Sequence, residues 1–187
     1  MHGFGRLEHE LVLLRRMADR QPDLVAQALG TLGVDRTAMR AANKRWQAML
    51  HSRRAPGGER LYRAVLGPPD DEREVRTGDL TSRALRWPVR LWPQLTFEVL
   101  VGPDGRTWHA WLVRRDPSTA PALRSLADLA PWTCVVDDVA RAFPAARHQS
   151  PDVPDRWLVE LDVDGRTWLL RFSWGLLQVV DPAPDSA

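Results

Sequence analysis

The pentapeptide Asp-Gly-Arg-Thr-Trp occurs twice, at Asp104 to Trp108 and at Asp164 to Trp168, each time between two short apolar runs. An Asp-Gly pair flanked by strand-forming residues marks a β-hairpin, because the tight turn that matches strand twist needs positive φ at both central positions. Such a two-residue turn also dictates register. Around Asp164-Gly165 it sets Leu161 opposite Trp168, Val159 opposite Leu170 and Trp157 opposite Phe172, all on one face. The other face carries Asp162 with Thr167, Glu160 with Leu169 and Leu158 with Arg171, a mostly polar set suited to a sheet covered on one side.

In the first copy Phe97, Val99 and Val101 share a face, and Trp108, Ala110 and Leu112 stand where Trp168, Leu170 and Phe172 stand in the second. Pro103 opens another register. Having no N–H, it suits a type I turn over Gly102-Pro103-Asp104-Gly105 with Gly105 left-handed, which shifts the partner strand by one residue. The shift puts His109 and Trp111 on the face of Val99, and both registers remain open from the residues alone. Two copies are too few for a solenoid.

A chain of 187 residues that is 44% hydrophobic can bury a real core, as one domain or one domain with a smaller appendage. Its apolar stretches fall short of the roughly 20 residues a membrane span requires, and Glu8 and Glu10 stand where a signal peptide would be apolar. The expectation is a soluble, cytoplasmic, bacterial protein with no membrane partner. Cys134 is the sole cysteine, so no intrachain disulfide forms and no thiolate cluster exists for zinc. Lys44 is the sole lysine among 26 basic residues, a bias that reads as a high-GC genome.

Charge divides the chain. Residues 1–66 hold 12 basic and 6 acidic residues, whereas residues 67–187 hold 14 basic and 18 acidic ones, and eight of the nine tryptophans. Helical spacing of Leu7, Leu11, Leu14 and Ala18, a break at Gln21-Pro22-Asp23, then Leu24, Val25, Ala28 and Leu29 predict two helices before Gly33. Asp35 is a good N-cap for a third with Met39, Ala42, Trp46, Met49 and Leu50 inward, and Glu59 to Leu66 makes a fourth with Leu61, Tyr62 and Val65. Further on, Pro121 to Leu129 fits a helix with its leucines inward. Val135 to Phe143 fits another helix, or a strand passing into one, capped by Asp137, and Leu176 to Val180 a last strand.

The expected fold is therefore α+β: an N-terminal helical segment of three to four helices, then a Trp-rich antiparallel sheet built on two hairpins with one or two packed helices. The expected organisation is residues 1–66 helical, 67–95 a Pro/Trp-rich linker or irregular edge, 96–181 the antiparallel α+β domain and 182–187 a disordered tail.

Two surfaces suggest binding. The run Leu29 to Met39 resembles a helix-turn-helix with Gly33 in the turn, and the helix after it carries Arg36, Arg40 and Lys44 at four-residue steps, with Asn43 and Gln47 nearby. Those residue types suit phosphate and base-edge contacts; a solvated helix face shows the same spacing. Around the two Trp-Pro steps, Trp87, Arg90 and Trp92, joined by His109 and Trp111, form the second candidate, a partner-binding strip. The leading expectation is a non-enzymatic macromolecular interaction protein, a protein-binding or adaptor module, because Trp and Arg dominate interfaces. The alternative is a DNA-binding regulator using residues 24–52. Another protein is the first partner expected and nucleic acid the second; no cofactor or metal is implied.

Catalytic constellations are sparse. Asp137 and Asp138 with His148 could ligate a metal, yet paired carboxylates at a helix start also suit the helix dipole. Cys134 sits in apolar company, which favours an inert thiol over one activated by His109 or His148. Pro154-Asp155 with Glu160-Leu161-Asp162 is similar to a nuclease core of the Pro-Asp and Glu-x-Lys type, but Asp162 stands where lysine is required.

Overall fold

The computed structural model describes residues 3–149 and 155–184. They form five α-helices, four of them N-terminal, and two antiparallel four-stranded sheets, the α+β class expected. Contacts divide the chain into two compact units, residues 1–110 and 111–187. The first holds α1 (Arg6–Met17), α2 (Pro22–Leu32), α3 (Arg36–Leu50) and α4 (Glu59–Leu66). It continues into β1 (Asp71–Thr77), β2 (Leu80–Pro88), β3 (Leu95–Val101) and β4 (Thr107–Arg114), paired in that order, with β4 running on into the second unit. The second unit adds α5 (Val136–Ala142), β5 (Arg147–Gln149), β6 (Arg156–Val163), β7 (Arg166–Ser173) and β8 (Leu176–Pro182), also paired in sequence order. Of the expected C-terminal tail, residues 185–187 lie outside the described residues, and β8 reaches Pro182.

Helices and sheet of the first unit meet on His9. Its ring lies 4.5 Å from Phe97 of β3, 5.5 Å from Trp46 of α3 and 6.2 Å from Tyr62 of α4, each edge-on. Next to it, Glu10 is buried and accepts the backbone N–H of Arg90 at 2.8 Å and of Leu91 at 3.3 Å, which ties the turn between the two Trp-Pro steps to α1. Residues 71–88, expected within a linker or irregular edge, instead form a regular hairpin, and β2 is a central strand. Its alternation turns Leu85 and Trp87 to the side of Phe97 and Val99, and the Trp87 indole donates to Gly67 O at 3.0 Å. Proline ends the strand at Pro88 without interrupting it.

Both copies of the repeated pentapeptide form hairpins, in different sheets. In the second, every expected pair is observed, from Asp162–Thr167 to Trp157–Phe172, and Asp164 and Gly165 both have positive φ, 51° and 75°. Val159, Leu161, Leu170 and Phe172 lie in the core with Trp157 and Trp168 packed against it. The first copy takes the shifted register. Gly105 N–H donates to Gly102 O at 3.0 Å, Gly102 N–H to Arg106 O at 2.9 Å, and Gly105 has φ 77°. This turn sets His109 across from Val99, and the Trp108 indole lies over Gly102 instead.

Two local expectations in the second unit are corrected. Pro121 to Leu129 is no helix. Asp128 accepts from the backbone N–H groups of Arg124 and Ser125 at 2.9 and 2.8 Å, closing a single 3-10 turn at Leu126–Asp128, and Pro131 disfavours helical geometry at Ala130. Leu123 and Leu129 nonetheless point into the core as expected. Secondly, α5 is capped by Asp138, which accepts the Val135 N–H at 3.1 Å; Asp137 is exposed. Val135 makes an isolated β-bridge to Leu176 just before the helix begins, without a strand forming there.

Asp138 also holds the buried Arg114 guanidinium at 2.5 Å and Arg141 at 2.8 Å. The side chains of Arg114 and Asp138 are 5% and 1% exposed, so removing one strands the other's charge out of water. Asp138→Ala is expected to destabilise the second unit by about 3–5 kcal/mol, seen as lost amide-exchange protection in β7; unchanged protection would show that the pair contributes nothing there.

Burial holds the His9 imidazole at about 3, well below its ordinary 6.5. Between those values the unfolded chain takes a proton that the folded chain refuses, so stability falls as pH falls through this window, by at most about 1.4 kcal/mol per pH unit. Burial raises the Glu10 carboxyl, which acts in the opposite sense over the carboxyl range. His9→Leu should remove the histidine slope while retaining that of Glu10. Urea midpoints from pH 6.5 downward check this, and parallel losses in both proteins would contradict it.

Candidate nucleic-acid interface

The segment from α2 to α3 is built by two capping devices. Gly33 closes α2 in the left-handed region at φ 69°, with its own N–H and that of Val34 returning to Gly30 O and Leu29 O at 3.1 Å. Asp35 then caps α3 by accepting the Ala38 N–H at 2.8 Å. Met39, Ala42 and Trp46 form the inner stripe of α3, and Trp46 reaches the His9 cluster and stacks on Phe4 at 5.9 Å. With that stripe fixed, the 3.6-residue period sends Arg36, Arg40 and Lys44 outward, and all three are exposed. Four residues of helix rise about 6 Å, so these cations follow one another in a row roughly 12 Å long.

Over residues 36–58 the chain has six basic residues and no acidic one. Arg36, Arg40 and Lys44 have no ion-pair or hydrogen-bond partner among the described residues. Elsewhere in this unit several arginines are neutralised: Arg63 and Arg83 share Glu59 and Glu72, Arg86 pairs with Glu98 at 2.7 Å, and Arg6 with Asp70 at 3.2 Å. The signal was present in the sequence as a run without carboxylates, which net charge over 1–66 obscures because acids near the helix starts and α4 dilute it.

Asn43 and Gln47 lie one turn apart on α3 and line a polar cleft of about 230 Å³ with Arg15, Arg16 and Asp19 at the end of α1. Arg15 and Asp19 are paired at 2.8 Å. The cleft thus joins two amide side chains to two guanidinium groups beside the exposed row, and all five residues expected for nucleic-acid contact fall on this side of α3 or at its rim.

The other expected strip is dispersed. Trp87 and Trp92 are 1% and 4% exposed and belong to the core, because strand alternation and the Glu10 anchor turn the chain around them inward. Arg90 is exposed, and so is His109, whose pKa partial burial lowers. Trp111 is half-buried and meets Trp157 edge-on at 6.1 Å. Among the catalytic candidates, Asp138 is committed to Arg114 and Arg141, His148 is exposed on β5 opposite Val159, and no group of three His, Cys, Asp or Glu among the described residues is placed to hold a metal. Burial, with the nearby Asp138 charge, pushes the Cys134 thiol up to about 12. Pro154 of the nuclease-like pattern lies outside the described residues. No described helix is long and apolar enough to cross a membrane.

No family model matches this chain, and no curated protein matches it. Among solved structures, a Streptococcus mutans protein provisionally described as a beta-lactamase inhibitor aligns at 10% identity over 73% of this chain and 88% of its own, with a TM-score of 0.30. Likeness at that level defines neither a shared fold nor a shared role.

The two glycines of α2 and its turn separate backbone strain from packing. A Cβ added at Gly30 or Gly33 would meet no atom within 4 Å, but only Gly33 has positive φ. Gly33→Ala should destabilise by about 1 kcal/mol and Gly30→Ala should stabilise by about 0.5–1 kcal/mol, measured by thermal unfolding. Equal effects would mean that the turn before α3 is not left-handed.

Proposed function

We propose that this chain is a non-enzymatic macromolecular interaction protein and that its first unit binds nucleic acid along α3. The observation that supports this most is the exposed, carboxylate-free row of Arg36, Arg40 and Lys44. A solvated helix face that served only solubility would gain from interspersed acids, since unlike charges at four-residue steps stabilise a helix and like charges destabilise it. α3 forgoes that stabilisation and keeps its positive field undivided. Repeating phosphates are the anions that such a row matches, and the Asn43 and Gln47 amides at the rim add donors and acceptors of the kind that meet base edges.

The test is equilibrium binding of labelled duplex DNA over a series of salt concentrations. The wild-type protein should show log affinity falling linearly with log salt, and Arg40→Ala should reduce that slope by about one and weaken binding at every sequence tested. Arg115→Ala, at an exposed cation of the second unit, should change neither. If Arg40→Ala leaves affinity and slope unchanged, α3 is not the binding face. If the protein retains an acidic protein but no nucleic acid, the row serves a protein partner and the nucleic-acid reading fails.

A further inference from the structure

Of the nine tryptophans, eight are buried or half-buried, in the core or at its margin. Trp108 is 40% exposed and has no hydrogen bond, ring contact or cation against its indole among the described residues. The contrast with its counterpart is a matter of turn chemistry. Trp168 faces Leu161 across a two-residue turn, packs against the core, and is covered by the Arg166 guanidinium at 5.4 Å. The extra turn residue, Pro103, moves Trp108 to the opposite face, over Gly102, while Arg106 leans to Asp104 at 3.4 Å and leaves the ring uncovered.

The ring is nevertheless held in place. Its Nε1, Cε2 and Cζ2 atoms occupy the space that any Cβ at Gly102 would need, so the buried glycine is a seat for the indole. The tip of the same hairpin touches Gly58, where a Cβ would come within 2.5 Å of Gly105 O and 3.6 Å of Arg106 Cα. Gly58 is the last residue of the carboxylate-free segment 36–58. The hairpin that carries the uncovered ring thus touches, at its tip, the glycine that closes the carboxylate-free segment, and both belong to the first unit.

We propose that Trp108 is a stacking platform for an unpaired nucleobase, so that the first unit prefers single-stranded over duplex nucleic acid. This rests on the nucleic-acid reading of α3 and adds what the cations alone do not supply. Phosphate contacts hold either form, whereas a base inside a duplex already stacks on its neighbours and gains nothing from an indole. Single strands expose π-faces, and alternating cationic and aromatic contacts are the chemistry that captures them.

The experiment compares a deoxythymidine oligomer of about 15 nucleotides with a duplex of equal length, by fluorescence anisotropy at fixed salt. Trp108→Ala should weaken oligomer binding roughly five- to 100-fold and duplex binding less than twofold, while Trp108→Phe keeps most of the oligomer affinity. Gly102→Ala, which displaces the ring without removing it, should mimic Trp108→Ala; circular dichroism establishes that each variant is folded. Unchanged oligomer affinity in Trp108→Ala, or an equal loss for oligomer and duplex, overturns the stacking proposal and leaves α3 as a phosphate-binding face provided Arg40→Ala still weakens binding. Absence of binding of either DNA form to the wild type overturns both.

Discussion

The aromatic junction at His9 is the contact on which the first unit depends. One imidazole from α1 meets rings from α3, α4 and β3, so three helices and the sheet are positioned by a single cluster. Its Nε2 is buried without a hydrogen-bond partner among the described residues, an arrangement tolerable only because burial keeps the ring neutral. The consequence for function passes through Trp46. Once that side chain is locked inward, helical geometry leaves no freedom in where Arg36, Arg40 and Lys44 go. The cationic face of α3 is thus the reverse side of a packing decision made in the core.

The second unit is organised around charge as much as apolar packing. Asp138 caps α5 and holds Arg114 and Arg141, three duties for one buried carboxylate. The two adjacent carboxylates at the start of α5 therefore differ in role: the buried Asp138 is held by Arg114 and Arg141, while Asp137 is exposed, and no third ligating side chain is placed with them among the described residues. At the far edge of the sheet, Arg147 spans Glu160 and Asp162, pinning the three-residue β5 to β6. That exposed network is screened by solvent, and its role is to hold a short edge strand in register.

The two copies of one pentapeptide show how little separates a core residue from a surface one. Both have Asp-Gly in the turn and Trp three residues after the glycine. What differs is the residue before the aspartate: Val163 pairs with Arg166 in the second copy, whereas Pro103 occupies the first central position of a longer turn in the other. Side-chain direction in a strand alternates, so one added residue reverses it. The same tryptophan is then a margin of the core in one hairpin and an uncovered ring in the other.

Much of this was legible locally. The four helical segments of the first unit, the stop at Gly33, the Asp35 cap and the whole register of the second hairpin follow from nearest-neighbour chemistry and are observed, although α2 begins at Pro22, inside the expected break. Of the candidate site, the spacing of Arg36, Arg40 and Lys44 and its helical setting could be read from the sequence, because a helix carries its periodicity with it. Other features needed tertiary contacts. The alternation of Arg with Trp around the Trp-Pro steps reads equally as a surface strip or a central strand, and only the Glu10 anchor and the pairing of β2 with β3 turned Trp87 and Trp92 inward. The first hairpin had two registers compatible with its residues, and the long-range seat at Gly102 and the contact at Gly58 accompany the one observed. The sequence by itself determined the four N-terminal helices and the second hairpin with its register; the tertiary structure decided which tryptophan is left uncovered, because exposure depends on what packs against a side chain and not on its neighbours in the chain.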